Sequence, residues 1–283
     1  MITTIAIFIR IFSNSIANLY QKKASISSSA ITVNLFSYLI MSLICLVPAC
    51  FVDWSIYNFE FWSSVLIAGL LCTVGTIALI EALKIGDLSV LAPINSYKSI
   101  IGLLSAMVLL KEFPTIKELI CIILIVIGSY FVLDSKKEPF SIKTFVRKDI
   151  LLRFFALFCT GIEASFLKKI VLLSSYKISL ILWSFSGFIC SLLIFFITKH
   201  SQNKINTNAK INCIIIAISL LLMQLTTNYV FSKIPVGSAL ALFQLSSLVS
   251  LYFGYKIFNE QEIKKKLIGT LIMISSATVL ILS

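Results

Sequence analysis

The sequence predicts an all-α integral membrane protein with ten transmembrane helices in two inverted five-helix repeats. Three observations lead there. Of 283 residues, 59% are hydrophobic and 13% charged, and mean hydropathy is +1.02, which leaves too few polar groups to cover a soluble surface. The apolar residues fall in blocks of near-spanning length with short polar joints between them. The two halves of the chain also echo one another.

In order, the first half has expected spans at 2–20, 30–51, 59–80, 88–110 and 117–133. The second has them at 150–170, 178–198, 211–232, 236–258 and 266–282. The first span carries Arg10 and two asparagines, and the third could extend through Glu81 to Lys84. Span four lies in "GDLSVLAPINSYKSIIGLLSAMVLLKE", residues 86–112, which reads as one long apolar helix with Lys98 near its middle. Pro93, one turn from its start, suggests a mild kink or an early helical turn. Trp54 and Trp62 flank the joint after span two and fit an interfacial aromatic belt.

The basic joint "DSKKEPFSIKTFVRKD" divides the chain near its midpoint. "ALKIGDLSVLAP" at 82–93 aligns with "FSKIPVGSALAL" at 231–242, and "NLYQKK" at 18–23 resembles "SFLKKI" at 165–170. With five spans in each half, the second copy must lie upside down relative to the first. That arrangement suits alternating access, because the two membrane faces can exchange roles.

The net charge of +12 does not point to nucleic acid, because the basic residues sit in joints without aromatic interleaving. Alternate joints hold sixteen and six basic residues. The positive-inside rule then places the midpoint joint in the cytoplasm and both termini outside. The first block lacks the features of a removable signal peptide. Seven cysteines without a CxxC pair read as small core residues, and the single histidine, His200, excludes a histidine metal centre. No cofactor or metal is expected. No Gly-rich nucleotide loop supports ATP hydrolysis, and no nucleophile–base cluster supports a membrane enzyme.

The polar residues inside spans are the candidate substrate-cavity residues: Asn14, Asn18, Asn95, Lys98, Glu163, Gln224, Asn228 and Gln244. Arg10, Gln21 and Thr227 lie beside them in sequence. Asn95, Lys98, Gly102 and Ser105 share one helical face. Its small residues, Gly102 with Ala106 and likewise Ser250 with Gly254, read first as close helix packing. An intramembrane ammonium costs about 2.5–3.5 kcal/mol even on a lenient scale. Lys98 therefore implies a neutral amine, a partner such as Glu163, or a wet cavity that attracts an anionic substrate. Glu163 reads either as an interhelical pair or as a protonation site coupled to transport. Glu81 with Lys84, and Glu260 and Glu262 near Lys264, read as interfacial ion pairs.

The stretches "EALKIGDLSVLAPINSYKSIIGLLSAMVLLKE" at 81–112 and "FSKIPVGSALALFQLSSLVSLYFGYKIFNE" at 231–260 resemble the EamA-like branch of the drug/metabolite transporter superfamily. So do the "IVIGSYFVL" and "LIGTLIMISSATVLIL" runs that follow them. The resemblance implies ten-helix carriers built from two inverted repeats, here 1–134 and 150–283. It also implies substrates among amino acids, other metabolites and toxic organic compounds, mostly exported. Glu112 and Glu260 match the family's acidic residue ending the fourth helix of each repeat, and Gly128 its glycine near the end of the fifth, where the second copy has Ser276. The family's proline about fourteen residues before each acid is absent here. The expected protein is a multi-pass cell-membrane transporter of a small organic metabolite, with a proton or another ion as possible coupling partner. In a Gram-negative bacterium it would sit in the inner membrane. The alternative is a translocase for a lipid-linked or polyprenyl-phosphate substrate. Oligomeric state is not legible.

Overall fold

The computed structural model describes residues 2–276 apart from 96, 114, 134–145, 199–206, 261–263, 265–266 and 273–274. Among them there is helix and no strand. The helices are α1 (Ile2–Ser27), α2 (Ala30–Ala49), α3 (Phe59–Ile85), α4 (Leu88–Ile94), α5 (Tyr97–Leu110), α6 (Ile116–Leu133), α7 (Lys148–Leu173), α8 (Tyr176–Ile197), α9 (Thr207–Phe231), α10 (Val236–Phe243) and α11 (Ser246–Phe258). Residues 267–272 and 275–276 are helical too. The rest of the expected tenth span, most of the midpoint joint, His200 and Glu262 lie outside the described residues.

Eight described segments are long and apolar enough to cross a membrane, with α4–α5 and α10–α11 each counting as one. At 18 residues, α6 fills the place of the expected fifth span. Local chemistry sets several starts. Ser29, Asn58 and Ser175 accept the N–H groups of Thr32, Phe61 and Ile178, which caps α2, α3 and α8. α3 takes the longer reading, so Glu81 and Lys84 are helical.

Span four departs from the expectation of one continuous helix. α4 stops at Ile94, Asn95 lies in a turn, and α5 starts at Tyr97. The Asn95 N–H bonds the Ala92 carbonyl, and the Lys98 N–H bonds that of Asn95. Span nine breaks in the same way: Gln244 N–H bonds Ala241, and Ser247 N–H bonds Gln244. Proline chemistry does not explain both breaks, because span nine has no proline at its break. Instead, the two breaks meet, the Asn95 side-chain amide donating to Gln244 Oε1 at 3.1 Å. Irregular backbone at membrane depth is tolerated where protein satisfies it.

Helix packing runs between the halves. The most extensive contacts join α3 to α7, α1 to α9, α2 to α8, and α5 to α7. α4 packs on α11, and α5 on α10. Large apolar side chains such as Phe8, Phe12, Leu43, Leu66, Phe158 and Ile218 face outward, while Arg10, Asn18, Asn34, Gln224, Asn228 and Gln244 are buried. Polar groups inside and apolar groups outside is the pattern a lipid solvent demands.

Candidate functional site

A cavity of about 90 Å³ lies between the halves. Its lining comes from α1 (Arg10, Asn14, Asn18, Gln21), α3 (Cys72, Thr76), α7 (Arg153, Thr160, Glu163) and α9 (Gln224, Thr227), with Tyr38, Asn95, Lys98 and Trp183. Six of the eight residues singled out in sequence thus share one chamber: Asn14, Asn18, Asn95, Lys98, Glu163 and Gln224. Asn228 and Gln244 stand one bond behind it. Gln224 Nε2 donates to Asn228 Oδ1 at 2.8 Å, and Gln244 accepts from Asn95.

Lys98 follows directly on the break in span four, so its ammonium belongs to a discontinuity, not to the middle of a helix. Among the described residues no ion pair joins it to Glu163. It lines the same cavity as Glu163, Arg10 and Arg153. Glu163, 4% exposed, accepts the Trp183 indole N–H at 2.7 Å, which fixes the carboxylate against α8. Arg10 and Arg153 are also buried, and each spends a donor on a backbone carbonyl. Arg10 Nη1 reaches Phe243 O at 3.3 Å, and Arg153 Nε reaches Leu91 O at 3.1 Å. The Arg10 guanidinium sits 4.2 Å from the Phe243 ring centroid.

In sequence Arg153 stands just after the midpoint joint, among the sixteen basic residues of the richer joint set. Its place one turn inside span six was the signal that could have moved it to the cavity. The small stripe below Lys98 packs instead of lining the cavity. A Cβ on Gly102 would collide with Leu240, and Ser105 Oγ shares a 2.6 Å bond with Ser165 and a longer one with the Gly161 carbonyl.

Two ion clusters stand away from the cavity. Lys111 and Asn259 take left-handed backbone, with φ 56° and 53°, and turn the chain out of α5 and α11. The next residues, Glu112 and Glu260, then cap helices of the opposite half. Glu260 accepts the Leu88 and Ser89 N–H groups at 2.8 and 2.7 Å, at the start of α4. It also accepts Lys22 Nζ at 2.9 Å, and Lys22 donates to Gly86 O at 3.0 Å. Glu112 accepts the Val236 N–H at 3.0 Å, at the start of α10, and pairs with Lys168, which donates to Ile234 O at 3.0 Å. Glu260 is therefore a buried cap, not a solvated interfacial pair. No group of three or more His, Cys, Asp or Glu able to hold a metal occurs among the described residues.

The EamA-like transporter family profile matches residues 1–134 and 147–282. No curated protein matches the chain. One crystal structure of a protein superposes with a TM-score of 0.74 over 98% of this chain and 95% of that one. At 11% identity, that likeness speaks for the fold alone.

Proposed function

This chain belongs to the EamA-like transporter family, and on that premise we propose a secondary carrier that exports a small organic metabolite through the central cavity by alternating access. The family is one of transporters, not enzymes, and the chain is a multi-pass membrane protein. The observation that carries the finer reading is the pair of discontinuous helices, α4–α5 and α10–α11, whose breaks face each other beside the cavity. Broken helices in corresponding positions of two halves are the best structural pointer to a transported substrate.

The two repeats, 1–134 and 150–283, are read as inverted copies. Exchanging the halves turns the α1–α9 contact into α7–α3, maps α2–α8 on itself, and swaps the Glu112 and Glu260 caps. Such an exchange lets each membrane face adopt the other's conformation. Lys98 favours an anionic substrate, and Glu163 is the candidate protonation site for coupling. The translocase reading needs a groove open to lipid beside Lys98. A lining drawn from helices of both halves favours a central chamber.

The test is flux in sealed vesicles with and without the protein, over a panel of metabolites, repeated with the proton gradient collapsed. The proposal expects protein-dependent flux. K98M should insert and melt normally yet lose transport of anionic compounds by more than tenfold. E163Q should keep flux but lose its response to the gradient. Equal flux with and without protein across the panel would sink the carrier reading.

A further inference from the structure

The cavity carries an imbalance of charge. Arg10, Lys98 and Arg153 bring three formal positive charges to a lining that holds one carboxylate, Glu163. Among the described residues none of the three cations reaches a carboxylate at ion-pair distance. Glu163 accepts the neutral Trp183 indole N–H through Oε1 and remains the single carboxylate of the lining.

A guanidinium has five N–H donors and keeps its charge at any working pH. Arg10, 5% exposed, uses one of them on the Phe243 carbonyl, and its buried Nε has no hydrogen-bond partner among the described residues. Arg153, 4% exposed, uses Nε on the Leu91 carbonyl. Buried charge without a counter-charge is costly. Two guanidinia kept under those conditions, on opposite halves of the chain and facing one chamber, point to an anion that completes the site. Three positive charges against one negative leave room for two more negative charges.

Resting on the carrier reading above, we propose that the cavity selects a small organic dianion, a dicarboxylate or a phosphate monoester, with Arg10 and Arg153 as specificity-determining residues beside Lys98. The planar fork of arginine matches the two oxygens of a carboxylate or phosphate, which a lysine does not. The chamber, about 90 Å³, lies below the ~300 Å³ at which pockets for drug-sized ligands begin. That size argues against a bulky substrate. The carbonyls that hold the two arginines belong to α10 and α4. An anion held by the remaining donors is therefore joined through one guanidinium to a half-helix, which ties recognition to the broken elements.

The experiment uses the full chain, purified in detergent and reconstituted in liposomes. Succinate and glycerol 3-phosphate are the dianion probes, with glycerol and alanine as neutral and zwitterionic controls. At least one dianion should raise the melting temperature and bind in a saturable way. Succinate alone identifies a dicarboxylate site, glycerol 3-phosphate alone a phosphate monoester site, and both together recognition by charge.

R10Q and R153Q should each weaken that binding by more than tenfold. E163Q, which removes the opposing charge, should strengthen it severalfold, an effect that mere damage to the fold does not produce. Should either glutamine variant fail to fold, R10K and R153K keep the charge and should bind with intermediate affinity. Binding of neither dianion overturns the proposal, as does wild-type affinity in folded R10Q and R153Q. Flux of alanine by a protein that ignores both dianions would leave the carrier reading standing and sink this one. Dianion binding with no protein-dependent flux of any compound on the metabolite panel would do the reverse.

Discussion

Gly187 shows how much a single residue decides near the cavity. A Cβ built there would run into the Tyr38 ring. Tyr38 is fully buried, shares a 2.8 Å bond with Cys72 and packs on Trp183 with ring centroids 5.1 Å apart. Trp183 in turn holds Glu163. One methyl on α8 therefore presses on a chain of contacts that ends at the cavity's carboxylate. G187A should cost about 1–3 kcal/mol from overpacking and lower flux, read as a lower melting temperature and altered tryptophan fluorescence. An unchanged melting temperature and spectrum would mean that Tyr38 moves aside freely. The sequence identified Glu163 and Lys98 because charge inside an apolar block is conspicuous. Tyr38, Cys72 and Gly187 look like ordinary residues of apolar helices, and only their neighbours give them a role.

Among the elements, α4 and α10 stand out as half-helices whose N-terminal N–H groups are capped by glutamates from the opposite half. A carboxylate at a helix start also complements the helix dipole. Burial pushes the Glu260 carboxyl up. The bonds from Ser89 and the pairing with Lys22 outweigh that, so it titrates below the ordinary carboxylate value. A carboxyl depressed in the folded state stabilises the fold above its unfolded pKa, and that contribution is lost as pH falls through the folded one. Thermal stability of the wild type should therefore drop as pH passes below the ordinary carboxylate range, and E260Q should flatten that acid limb. E260A should cost about 3–5 kcal/mol, because it leaves Lys22 without its partner. An identical acid limb in E260Q would show that Glu260 does not set it. The helix-end acids were legible in sequence as matched positions, but their targets, a whole half-chain away, were not.

At the scale of the whole molecule, the positive-inside reading can be refined. Lys22, Arg153 and Lys168 are tied up in buried or part-buried contacts, yet the bias survives without them, fourteen against five basic residues. With Ser141 replaced by cysteine in a cysteine-free background, an impermeant thiol reagent should not label the midpoint joint from outside intact cells. It should label the joint strongly in inverted vesicles. Strong labelling of intact cells would turn the protein over. The sequence by itself determined the solvent, the helical class and the approximate spans, because hydrocarbon forces long apolar blocks whose backbone is satisfied internally. It also exposed the charges inside those blocks, because such groups are expensive there. Only the tertiary structure decided that spans four and nine break, because carbonyls beside the breaks are taken up by side chains from elsewhere in the chain, Leu91 by Arg153, Phe243 by Arg10 and Ser246 by Ser15, while the Asn95 and Gln244 side chains meet across the two halves. It likewise decided that Arg153 faces the cavity and that Glu260 caps α4, since those contacts join residues that sequence spacing cannot bring together.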